Sequence, residues 1–207
     1  MAMNEYYVAL VGLAGVLIGA LIVVGKDIYF ERRSRWKSQQ YLAIRVVTKL
    51  DDFVEGCVEV SIDTGQPDKD GYHHANSDAP VFDIDSLAVD WKSIPSELMY
   101  KILSFPTLVD SANNNIHAVA EYQASPPDYS EFFEERRFQY SKLGLTAYEL
   151  AEKLRVSYKI RPRAYENWDP IKSLQDRLNE IEYRREQFYE QQKSMFEEME
   201  KARLGEE

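Results

Sequence analysis

The sequence predicts an all-α protein: a single N-terminal transmembrane helix, then a soluble bundle of about four long helices, the last extending as a coiled coil. Three observations support this fold class. An uncharged stretch, residues 6–25, opens the chain. Apolar residues then recur at three- and four-residue intervals through most of the remaining sequence. The final segment, 163–207, follows a heptad pattern.

The uncharged stretch matches the hydrocarbon core of a bilayer, because about twenty helical residues rise about 30 Å. A buried core helix of this length would carry a polar stripe. A cleaved signal peptide would begin with basic residues, whereas this stretch follows Glu5 and runs directly into Lys26 and Asp27. We therefore predict that residues 1–35 form a membrane anchor with a basic juxtamembrane segment, so that the lipid bilayer is one partner of the chain.

Basic residues flank only one side of this stretch, which predicts its orientation. None precedes it. Those that follow are Lys26, Arg32, Arg33, Arg35 and Lys37. Since basic flanks stay in the cytoplasm, we expect the N-terminus outside and the C-terminal domain in the cytoplasm, at the inner membrane if the organism is a bacterium. The lone Cys57 agrees with a reducing compartment.

Small residues within the anchor predict a place where a second membrane helix could pack. Gly12, Gly15 and Gly19 recur at helical spacing, and small residues at this spacing let two backbones approach closely in lipid. Glycine is also common in membrane helices in general. Dimerisation through this face is therefore one of two open interpretations.

The charge of the chain excludes one class of partner. It carries 25 Lys and Arg against 35 Asp and Glu, a formal net charge of −10. Nucleic acid would be repelled by such a protein. We therefore expect no nucleic-acid partner, and no motif indicates a small-molecule substrate.

Residues 36–162 are predicted to form the cytoplasmic helical domain. Segment 36–62 spaces apolar residues over a broad helical face, and nothing between Gly25 and Trp36 forces a break from the anchor. A second helix is predicted from Pro95, kinked or divided at Pro106. A third is predicted from about residue 130 to residue 158. Between the first two lies an acidic loop, 63–90, dense in turn-forming residues.

The acidic loop holds the best candidates for chemistry. His73 and His74 are adjacent and have several aspartates nearby, among them Asp63, Asp68 and Asp70. These are residue types that divalent cations bind. Their spacing fits neither an EF-hand nor a zincin site, so a solvated loop is the simpler interpretation. We expect no metal, no cofactor and no catalytic activity.

The charge run 131–137, at the start of the predicted third helix, is expected to be a solvated helix face.

The last helix carries a heptad seam that predicts a partner surface. Its apolar members are Ile171, Leu174, Leu178, Ile181, Phe188, Met195 and Met199. Arg185 and Gln192 interrupt it, as polar residues that fix register do. Two arrangements fit: a coiled coil with another chain or copy, or a helix that packs on its own domain for two turns and then projects as a solvated arm.

These features together predict a single-pass membrane protein that presents a cytoplasmic helical docking surface, as an interaction or scaffold protein. The partner would be another protein or a second copy, bound through the C-terminal helix. One alternative is an accessory subunit that responds to a cation or a partner through the acidic loop. A less favoured alternative is a metal-dependent hydrolase that uses the Asp and His residues of that loop.

Overall fold

The computed structural model describes residues 2–87, 89–165 and 168–205, without the side chains of residues 2–14, 16–18, 202 and 204. This part of the chain contains four α-helices: α1 (Ala2–Ile62), α2 (Ser96–Tyr122), α3 (Ser130–Tyr158) and α4 (Pro170–Gly205). Two short strands, β1 (Gln66–Pro67) and β2 (His73–His74), pair antiparallel in a small hairpin. The prediction of a helical bundle is confirmed.

Helix α1 is continuous from the N-terminal segment into the bundle, as expected from a sequence with no proline in this region. Within the described residues, no helix has a stretch that is long and apolar enough to cross a bilayer. Most of the predicted span, residues 6–14 and 16–18 with Gly12 included, is described without its side chains. The membrane anchor stays a prediction.

Three of the helices run in one direction and α3 runs against them. We call the end of the bundle beside Gln40 the near end, where the Gln40 amide donates to the Tyr158 carbonyl oxygen at 3.1 Å. The other, the far end, lies beside Asp63, which contacts Arg136 near the start of α3. Helix α2 starts at the near end. Ser93, three residues before this helix, accepts a hydrogen bond from Gln39 through its carbonyl oxygen.

Residues 63–95 therefore form a crossover that returns the chain along the bundle from the far end to the near end. Its apolar side chains are buried: Phe82, Ile84, Leu87 and Ile94. The Phe82 ring contacts those of Phe53 on α1 and Phe105 on α2, with ring centroids 5.9 and 5.0 Å away. The expected solvated loop is thus in part a packed layer that joins α1 to α2. Pro106 lies inside α2 without dividing it.

At Gly144, α1 and α4 both pack closely against α3. A Cβ atom at this position would lie 2.7 Å from Cδ1 of Leu174 and 2.9 Å from Cβ of Cys57. Both neighbours are fully buried. Glycine is disfavoured within a helix by about 1 kcal/mol relative to alanine. Here it leaves room for Leu174 and Cys57, which a larger residue would crowd.

The core also contains a buried ion pair between α1 and α3. Arg155 donates from one terminal nitrogen to both carboxylate oxygens of Asp51, at 2.6 and 2.5 Å. Arg155 also contacts Glu152 one turn earlier, at 2.8 Å. Removal of Arg155 would leave the buried Asp51 carboxylate without its ion-pair partner, a change that usually costs about 3–5 kcal/mol.

Candidate functional site

Asp63 holds the start of the crossover in place at the far end of the bundle. Its carboxylate accepts hydrogen bonds from the backbone N–H groups of Gly65, Asn76 and Ser77 and from the Ser77 hydroxyl, at 2.9 to 3.1 Å. Arg136 of α3 contacts the same carboxylate at 2.8 Å. Burial alone would raise the pKa of Asp63, but these hydrogen bonds to Gly65, Ser77 and Asn76 lower it to about 2. Asp63 is a structural anchor.

The other predicted loop residues are distributed through the hairpin. Asp68 accepts from the backbone N–H groups of Asp70 and Tyr72 and contacts the His74 ring at 2.9 Å. His73 turns the other way, its ring 6.5 Å from that of Phe133. Within the described residues, no group of three or more His, Cys, Asp or Glu side chains is placed to hold a metal ion.

The charge run at the start of α3 is largely buried, contrary to the expectation of a solvated face. Glu135, Arg136 and Arg137 are each at most 9 % exposed. The sequence contains a signal for this: positions 136 and 137 lie three and four residues after Phe133 and just before Tyr140, within the apolar stripe of α3. Charged residues at those positions face the neighbouring elements.

An ion-pair cluster joins α3 to α4. Glu134 accepts from Arg184 at 3.1 Å and from Arg185 at 3.0 Å, and Glu135 accepts from Arg185 at 2.7 Å. The Arg185 guanidinium also lies over the Phe138 ring, 4.3 Å from its centroid. Burial lowers the pKa of Arg185, but the hydrogen bonds to Glu135 and Glu134 raise it on balance. The polar interruption of the heptad seam therefore finds its partners within the same chain.

A groove of about 830 Å³ opens at the far end, beside this cluster. The end of α2, the hairpin, the start of α3 and the middle of α4 form its walls. Aromatic rings are contributed by Phe133 and Phe188. The charged residues of its walls are of both signs: Arg137, Arg184, Arg185, Asp128, Glu131, Glu134 and Glu135. Sequence reasoning missed this groove, because it combines four segments that are far apart in the chain.

The predicted seam divides into two parts. Leu174 and Ile181 are fully buried, Ile171 and Leu178 are half-buried, and all four belong to the part of α4 that lies along the bundle. Beyond Arg185, residues 186–205 continue the helix past the far end; we call them the arm. Phe188, Met195 and Met199 lie on the arm and are 51 to 61 % exposed. This matches the second arrangement considered for the last helix in outline, although the packed part spans about four turns where two were expected.

The predicted topology residues lie on the N-terminal part of α1, up to the point where Trp36 contacts Tyr158 of α3. Lys26, Arg32, Arg33, Arg35 and Lys37 are all exposed. Arg35 pairs with Glu31 one turn earlier, at 2.8 Å. A Cβ atom added at Gly15 or Gly19 would have no neighbour within 4 Å, so these glycines face open space.

Comparison of the chain with known protein families, curated proteins and solved structures finds no match. The geometry of the groove and the arm is therefore the basis for the functional proposals below.

Proposed function

We propose that this protein is a membrane-anchored interaction protein whose arm associates with the arm of a second copy and presents a helical docking surface. One observation carries the proposal: the arm extends the helix beyond the bundle with an exposed apolar stripe. The stripe consists of Phe188, Tyr189, Met195, Phe196 and Met199, each 51 to 65 % exposed. Such stripes typically mark interaction surfaces.

The positions of the two projecting segments support this proposal. Residues 19–37 of α1 are exposed and leave the near end of the bundle, whereas the arm leaves the far end. Helices α1 and α4 point in the same direction along the bundle. An anchor formed by residues 6–25 would therefore hold the arm, about 30 Å long, on the side facing away from the membrane.

Anchoring and association are tested separately with the full chain in cell membranes. An integral membrane protein stays in the membrane fraction after washing at high pH, and we expect this chain to do so. Release by the washing step would contradict the anchor. Replacement of residues 6–25 by a soluble linker is the matched control and should release the chain.

Association of the arms is tested by oxidative cross-linking of single cysteines. Met195→Cys lies on the heptad seam, and Glu197→Cys lies on the opposite face of the same helix. The native Cys57 gives no background, because it is buried and burial raises the pKa of its thiol. We expect a covalent dimer from Met195→Cys and much less from Glu197→Cys. Equal or absent cross-linking of the two variants would overturn self-association through the seam.

A further inference from the structure

Arg137 is a buried guanidinium that has no ion pair in the described part of the chain. It is 9 % exposed and lines the far-end groove. Its Nε donates to the Phe133 carbonyl oxygen at 3.3 Å, and no hydrogen bond from its two terminal nitrogens to a described residue is found. These two nitrogens are not among the described buried atoms that lack a partner, so they face the open groove and are available to an anion that enters it.

Among four neighbouring guanidiniums, Arg137 is the one without a carboxylate partner in the described part of the chain. Four guanidiniums, those of Arg137, Arg177, Arg184 and Arg185, lie around three carboxylates, those of Glu134, Glu135 and Glu180. Each carboxylate already has two donors. Glu134 binds Arg184 and Arg185, Glu135 binds Arg185 and Gln139, and Glu180 binds Arg177 and Arg184.

The electrostatic setting of Arg137 agrees with this count. Burial lowers its pKa, and the nearby Arg177 and Arg184 cations lower it further, while Glu134 and Glu180 oppose the change. Two further acidic residues line the groove, Asp128 and Glu131, and Glu131 accepts from the Ser130 hydroxyl at 3.2 Å. Arg137 lies six positions after Glu131, which places them about 120° apart around α3 and about 9 Å apart along it. Within the described residues, no ion pair joins Arg137 to either carboxylate.

We propose that the far-end groove binds a ligand with a single carboxylate attached to an apolar or aromatic group, and that Arg137 binds the carboxylate. A guanidinium matches a carboxylate with two parallel hydrogen bonds. The rings of Phe133 and Phe188 line the same groove and would contact the apolar part. The groove volume, about 830 Å³, lies within the usual range for small-ligand sites. This proposal does not depend on membrane anchoring or on association of the arms.

Two sources share this chemistry: a small organic acid and the C-terminal carboxylate of a polypeptide. The first probe pair is 3-phenylpropionate and its neutral amide, 3-phenylpropionamide. The second is a short peptide that ends in phenylalanine, with a free or an amidated terminus. Each is titrated into the full chain, in detergent micelles, with the Arg Nε–Hε signals followed by NMR.

We expect 3-phenylpropionate to shift the Arg137 Nε–Hε signal saturably and to bind at least tenfold more tightly than the amide. Arg137→Gln should lose this tenfold preference, whereas Arg45→Gln, on an outer face of α1, should keep it. If Arg137→Gln fails to fold, the shift of the Arg137 signal in the wild-type protein still decides the outcome. Tighter binding of the free-acid peptide than of phenylpropionate identifies a chain terminus as the source, and weaker binding identifies a small acid.

Three results would overturn the proposal: equal affinity for the acid and the amide, an unchanged Arg137 signal at saturating acid, or binding of inorganic phosphate as tightly as phenylpropionate. The last result would indicate a general anion site without recognition of an apolar carboxylate.

Discussion

The two halves of α4 carry one heptad pattern in two different environments. From Pro170 to Arg185 the helix lies along the bundle and buries Leu174 and Ile181 completely. From residue 186 onward, the same pattern places Phe188, Met195 and Met199 in solvent. The comparison teaches that a heptad pattern predicts an apolar stripe without specifying what covers it. In the first half the cover is α1 and α3, and in the second half the single chain offers none.

The largest expected difference between the halves comes from placing a charge on the seam. Ile181→Asp would put an unpaired carboxylate in a fully buried position, and we expect it to lower the free energy of unfolding by about 3–5 kcal/mol. Met195→Asp, on the exposed arm, should change it by less than about 0.5 kcal/mol. Chemical denaturation followed by tryptophan fluorescence reports on both. Similar losses for the two variants would mean that the arm is also packed.

Acid should affect the packed half of α4 and leave the arm unchanged, because α4 rests on α3 and Asp63 fixes the start of α3. The folded-state pKa of Asp63 is about 2, below the usual 3.8. A lowered pKa stabilises the folded state above pH 3.8, and this stabilisation, about 2 kcal/mol, is lost as the pH falls from about 4 towards 2. We expect Asp63→Asn to remove this part of the pH dependence, as measured by denaturation at a series of pH values.

The control for this experiment is Asp110→Asn, on the exposed face of α2, which should keep the steep loss of stability between pH 4 and pH 2. An unchanged pH profile in Asp63→Asn would show that other carboxylates cause the acid sensitivity.

The helices could be predicted from the sequence because their apolar residues recur regularly. The segments predicted from about residue 95 and from 130 to 158 correspond to α2 and α3, and the continuous first helix corresponds to α1. The sequence also predicted that Pro106 would kink or divide α2, and α2 is not divided there. Buried neighbours on both sides, Phe105 and Val109, stabilise its path.

The groove could not be predicted, since it depends on which segments meet in three dimensions. Arg137 is an example: its neighbours in sequence are charged, so local composition indicated a solvated surface. The crossover is another example. Its turn-forming residues between 63 and 80 predicted a solvated loop, but Phe82 and Leu87 just beyond them are buried. In both examples burial depends on contacts between segments that are far apart in the chain.

Gly144 offers a smaller test of how tightly the packed half of α4 fits. Gly144→Ala would place a methyl group 2.7 Å from Leu174, at an overpacking cost of about 1–3 kcal/mol, offset by about 1 kcal/mol of helix propensity. We expect a net loss of about 1 kcal/mol in the free energy of unfolding. In a Leu174→Ala background only the close contact with Cys57 remains, so the same change should cost less, and a double-mutant cycle measures the coupling. Additive effects would mean that the two residues do not touch.

The smallest expected effect on stability is that of removing the arm. Deletion of residues 186–207 takes away a helix that buries little surface against its own bundle, so the free energy of unfolding should change by less than about 0.5 kcal/mol. The same deletion should abolish association of the full chain in membranes, if the arm is the contact between copies. Denaturation and cross-linking of one sample measure the two properties together. A deletion that destabilised the bundle would place the arm in the core, and one that left association intact would move the contact to another surface, such as the face of Gly15 and Gly19.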